Sequence, residues 1–144
     1  MKLKYLQPPP EGWNEPLPKS AEYPRHWVTT VDLEIELSDG YVLKAPKGTI
    51  WDGASIPSWL WWLFNPIDNG AIGDFIHDQL WIDKQAQLEY FKYDIYKARK
   101  FADRERVLWR NVIAPNKRLK TAITNFVIRA VGGLFYSRQL KILN

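Results

Sequence analysis

Gly73-Asp74-Phe75-Ile76-His77-Asp78-Gln79-Leu80-Trp81 is the stretch on which the reading of this chain turns. Phe75, Ile76, Leu80 and the ring of Trp81 recur at the spacing that buries one side of a helix. The same segment holds His77, one of only two histidines, with Asp78 beside it. Burying titratable groups is costly unless partners satisfy them, so another element is expected to reach this helix.

Upstream the period changes from helical to alternating. Val31, Leu33, Ile35 and Leu37 fall on one side, and Thr30, Asp32, Glu34 and Glu36 on the other. That predicts a strand with one solvated face over about 28–37. Ser38-Asp39-Gly40 is a hairpin signal, because Asp-Gly accepts positive φ. Tyr41 to Ala45 returns as a second strand, and Thr49-Ile50-Trp51 follows as a short third. Residues 1–27 carry six of the ten prolines, which lack the N–H that regular elements use. They read as an extended arm, pinned in places by Trp13, Tyr23 and Trp27, and serving either a neighbouring subunit or its own domain.

Downstream, Ser58 caps a predicted short apolar helix through Trp59 to Phe64, stopped before Pro66. After the His77 helix, further helices are expected over about 86–101, with a stripe of Leu88, Phe91, Ile95 and Ala98, and over 103–113. A last helix runs from about Lys117 to Tyr136, with Leu119, Ile123, Phe126, Val127, Ala130, Val131 and Leu134 as its buried stripe. The expected fold is α+β: a small antiparallel β-meander over about 28–51, then a helical body over about 58–136. Residues 28–144 form a single domain behind the Pro-rich arm.

The absence of cysteine removes disulfides and thiolate metal sites, and favours a reducing compartment or a virion. No apolar run suits a signal peptide, and none approaches the ~20 residues of a transmembrane segment. Charge is unevenly divided. Residues 97–144 hold twelve Lys/Arg against two acids, and residues 1–96 hold eight against fourteen. The basic half is either a solvated helical face or a surface for phosphate, anionic lipid or an acidic partner.

A short connection between the His77 helix and the next makes them antiparallel neighbours, which puts Asp94 at the height of His77. A carboxylate there would accept the imidazole Nδ1–H and leave Nε2 as a general base. Asp78 points about 100° away on the helix and suits a cation, and Asp52, from the tight loop Trp51-Asp52-Gly53-Ala54-Ser55-Ile56-Pro57, would complete either role. Such oxygen ligands suit calcium or magnesium, and a single histidine argues against structural zinc. The bland alternative is a buried histidine bonded to a nearby acid as a strut. His26 reads as structural, and Ser55 lacks the Gly-x-Ser-x-Gly elbow of a serine nucleophile.

Asp52-Gly53-Ala54-Ser55-Ile56-Pro57, the Trp-rich segment with Pro66, His77-Asp78-x-x-aromatic, Asp94 and Val131-Gly132 together resemble the phage and prophage family called domain of unknown function 1353. The resemblance spans roughly residues 28–136 and implies a bacteriophage origin, in a virion or in the host cytoplasm. Trp51, Trp81 and Tyr93 depart from the Thr, Tyr and Ala expected of that family. The order His-Asp-x-x-aromatic followed by a helical Asp is also distantly similar to the phospholipase A2 family. That likeness implies His77 as base, Asp94 as its orienting acid and Asp78 as a Ca2+ ligand. Gly53, Ser55 and Trp81 are expected as binding residues beside them.

Two readings follow. One is a phage-encoded hydrolase of phospholipase-like type, acting on a lipid or cell-envelope ester. The other is a non-catalytic virion component (tail, neck or baseplate) that uses the arm and basic helices for assembly. The expected partners are phage structural proteins or host envelope lipid. Nucleic-acid binding lacks any recognised motif, and would require an affinity falling steeply with salt.

Overall fold

Asp39 and Gly40 close the hairpin that the sequence announces, Gly40 with φ +88°. It joins β4 (Leu33–Glu36) to β5 (Val42–Ala45), with Leu33 opposite Ala45 and Ile35 opposite Leu43. These four side chains are buried, while Glu36, Val42 and Lys44 are exposed, as alternation requires. The computed structural model describes residues 1–18, 26–51, 68–82, 92 and 94–143. The loop 52–57, the expected helix at Ser58–Phe64 and the start of the one at Ala86 lie outside them.

The α+β class stands, but the strands are dealt into two sheets. β1 (Lys2–Leu3) runs parallel to β4, giving the order β1-β4-β5. β2 (Asn14–Pro16), β3 (Trp27–Thr29) and β6 (Ile50–Trp51) form an antiparallel second sheet in the order β2-β3-β6. The single strand expected over about 28–37 is therefore interrupted between Thr29 and Leu33. Local polar bonds explain the break. Thr30 N donates to the Trp13 carbonyl at 2.9 Å, and the Thr29 hydroxyl donates to the Pro46 carbonyl at 3.1 Å. Both bonds draw the chain toward the second sheet.

Residues 1–18 of the expected arm contribute two strands, which proline content alone did not suggest. Leu3 and Trp13 are part of the buried core. Trp13 stacks on Trp51 at 5.8 Å and meets Phe75 edge-on at 5.2 Å. Such aromatic pairs add about 0.5–1.5 kcal/mol beyond the area they bury.

Phe75 belongs to α1 (Ala71–Ile82), the helix around which the core closes. α2 (Ile95–Ile113) crosses without interruption the point where two helices were expected. Asp103, a natural helix starter, sits mid-helix because its carboxyl group is engaged sideways by α1. A 3-10 turn (Pro115–Lys117) leads into α3 (Arg118–Leu143). The stripe expected to bury α3 is inverted at four described positions: Leu119, Ile123, Phe126 and Ala130 are exposed, and Thr121, Thr124 and Ile128 face inward. Among the described residues no helix is long and apolar enough to cross a membrane.

α1 and α2 approach so closely that a Cβ at Gly73 would lie 2.7 Å from Arg110 Cγ and 2.9 Å from the Arg106 carbonyl oxygen. The second contact is backbone and cannot swing aside. Gly73→Ala is expected to lower stability by about 1–3 kcal/mol despite its gain in helix propensity. Urea denaturation would measure it, and an unchanged midpoint would show that the helices are free to separate.

Candidate functional site

His77 is fully buried, and its Nε2 lies 2.7 Å from Asp103 Oδ1. Burial is the main influence on the ring and disfavours its charged form. The Asp103 hydrogen bond opposes that, but the net effect holds His77 below its ordinary value of 6.5. The neutral ring therefore donates from Nε2 to the Asp103 oxygen. Trp81 covers one side of the imidazole at a centroid distance of 4.8 Å.

One turn toward the N-terminus of α1, Asp74 continues the ladder. Its Oδ1 accepts from Arg106 Nε at 2.7 Å and its Oδ2 from Arg110 Nη1 at 2.6 Å. Arg110 also grips Asp68 with both terminal nitrogens, at 2.9 and 2.7 Å, and donates from Nε to Thr121 at 2.9 Å. Arg106 reaches Thr124 at 2.7 Å, and Lys120 reaches Asp68 at 2.8 Å. This is why α3 turns threonines inward: the surface it meets is made of guanidinium groups, and a hydroxyl satisfies what a leucine would strand. Burial pushes the Asp68 carboxyl up, but the bonds from Arg110 and Lys120 outweigh it and hold Asp68 well below the usual carboxylate range.

A second buried acid joins the helices to the first sheet. Glu105 accepts from Ser38 N at 2.8 Å and from the Ser38 hydroxyl, and the Trp109 indole N–H lies 3.4 Å away.

The residues expected to form a site are thus only partly gathered. Asp94 does not orient His77. It is the N-cap of α2, accepting from Lys97 N at 3.0 Å, and its side chain is partly exposed. The acid level with His77 is Asp103, more than two turns further along α2. Nε2, expected to face solvent as a base, is the nitrogen that Asp103 engages. Asp78 is partly exposed on α1, and Trp81 packs on His77 as described. Asp52, Gly53 and Ser55 lie outside the described residues, and among the described residues no group of three or more acids and histidines is placed to hold a metal.

The residues missed were Asp68, Asp74, Asp103, Glu105, Arg106 and Arg110. A signal for part of them was present: Asp74 and His77 are three apart, as are Asp103 and Arg106, in the mirrored order that antiparallel helices would pair.

On the far side of Asp103 a cleft of about 150 Å³ opens, lined by Tyr96, Arg99, Lys100, Asp103 and Arg129. Arg129 Nε stands 4.0 Å from Asp103 Oδ2, and Arg99 Nη2 donates to the Arg129 carbonyl at 2.9 Å.

The family model described as "Protein of unknown function (DUF1353)" covers residues 27–117, and the chain belongs to that family. No curated protein and no solved structure matches. The matched residues include α1, α2 and the whole His77–Asp103 ladder, while α3 lies beyond them.

Asp74→Ala would leave two buried guanidiniums facing each other and is expected to cost about 3–5 kcal/mol, read from denaturant midpoints. The ladder also sets the acid response. Below pH 6.5 the unfolded chain protonates its histidine and the native chain resists, so stability should fall as pH drops through that value. The slope from this group is at most about 1.4 kcal/mol per pH unit. His77→Gln should flatten that limb. It should leave intact the separate loss below pH 3.8, where the unfolded Asp68 takes up its proton.

Proposed function

We propose that this DUF1353 member is a non-catalytic component encoded by a bacteriophage or prophage, in which a rigid ion-paired body presents its basic helices for docking. The observation that carries the reading is the burial of His77. A general base must come within hydrogen-bond reach of the proton it takes, directly or through one water. The His77 ring has no exposed surface, and its Nε2 is engaged by Asp103. That favours a strut bridging α1 and α2 over a hydrolytic base of phospholipase type, and Asp94, the acid meant to orient such a base, caps α2 instead.

The phage context rests on the family resemblance. Lys2–Leu3 and Asn14–Pro16 of the N-terminal segment pair into the two sheets, and the positive charge is concentrated on the helices, which favours them for attachment.

Two measurements test this together. Quantitative mass spectrometry of purified particles should find the protein in fixed stoichiometry with the tail or neck proteins. Phospholipid and ester turnover by the purified protein should be no greater in the wild type than in His77→Gln. A turnover that drops by about 10²-fold or more in His77→Gln, with the variant still folded, would restore the hydrolase reading and its Ca2+ requirement.

A further inference from the structure

α3 carries most of its bulky described apolar side chains on the outside. Leu119 is 75% exposed, Phe126 74% and Ile123 40%. At about 100° per residue, Leu119 and Phe126 project within about 20° of each other and Ile123 within about 60°, opposite Thr121, Thr124 and Ile128. The exposed row is therefore continuous. Arg118 and Arg129 border one edge of it, and Lys120, on the other flank, is held by Asp68. From Arg118 to Leu143 the helix contains five Lys/Arg and no acid.

The second observation is the cleft. Its lining of Arg99, Lys100 and Arg129 supplies three cations against the single carboxyl of Asp103, one of whose oxygens is engaged by His77. At about 150 Å³ it has room for one phosphate-sized group. The Arg99 bond to the Arg129 carbonyl ties the two helices at its mouth. Arg129 belongs both to this cleft and to the border of the apolar row, so a small anion site and an apolar ridge lie side by side.

We propose that α3 and the neighbouring cleft dock on an anionic phospholipid surface, with Leu119, Ile123 and Phe126 entering below the headgroups and a lipid phosphate entering the cleft. An amphiphile offers both chemistries at one place: a compact anion and, adjacent to it, a fluid apolar layer that needs no matching groove. An acidic protein partner could meet the cations, but it would need its own pocket for each exposed apolar side chain. The inference rests on the docking reading above and adds the nature of the surface.

Co-sedimentation of the full chain with vesicles tests it, comparing phosphatidylcholine alone with phosphatidylcholine mixed with phosphatidylglycerol. Binding is expected only to the mixed vesicles and should weaken with salt. The double substitution Leu119→Ser/Phe126→Ser should reduce it at least about tenfold, because burial of apolar side chains adds to electrostatic attraction. Arg129→Gln should weaken binding and blunt its salt dependence. All of these positions are well exposed, and unchanged melting would show that the variants fold. Absence of binding to the mixed vesicles at low salt, or undiminished binding by the double variant, overturns the proposal. So does saturable binding of inorganic phosphate without any vesicle binding. If vesicles fail but the double variant is lost from particles, the occupant is a protein, and the docking reading survives without the lipid.

Discussion

The carboxylate of Asp74, shared between the guanidiniums of Arg106 and Arg110, is the contact from which the helical body takes its shape. Buried charges of this kind are poor sources of net stability, because desolvation consumes much of their attraction. What they supply is selectivity. Each guanidinium is held at more than one nitrogen, and the groups holding them come from Asp68, α1 and α3. Slide α1 by one residue against α2 and Asp74 and His77 would lose their partners together. Gly73 completes the constraint by letting the backbones come close enough for short side-chain bridges. The helix pair is fixed in register, and the sheets and α3 are fitted to it.

That constraint explains which parts of the structure could be read from the residues. The Asp39-Gly40 hairpin, the alternation through Leu33 and Ile35, and the apolar period of α1 are local signals, and each survives because nothing distant competes with it. Three features were set by distant partners instead. A short connection would put Asp94 beside His77, whereas the described α2 begins at Ile95 with Asp94 as its cap, which brings Asp103 level with the imidazole. The inward face of α3 was sought among its leucines and phenylalanines, although the surface it covers demanded threonine hydroxyls. Trp13, expected to pin the proline-rich arm, does so, but what it meets is a cluster of Trp51 and Phe75 drawn from distant elements. Periodicity identifies which residues are apolar; it does not identify what they will face.

The same division runs through the functional reading. The His–Asp stretch drew attention as chemistry, and its geometry is better suited to holding two helices together. The outward side of α3 drew none, because a row of apolar residues at helical spacing ordinarily means core. Family membership covers the ladder and stops before α3. The matched residues thus hold the bracing, and the exposed apolar row lies on a helix beyond them.

Glu105 carries a further implication. Among the described residues it makes no ion pair, and its oxygens are satisfied by the Ser38 amide and hydroxyl and the Trp109 indole. Ser38 sits at the end of the β4–β5 hairpin, a place where a sheet would ordinarily fray first. Here fraying would take both Ser38 bonds from a carboxylate in the interior, so opening is penalised at the helix as well as at the turn. The hairpin tip therefore belongs to the same cooperative unit as α2, and its amide hydrogens should exchange with solvent on the timescale of global unfolding, not of loop motion.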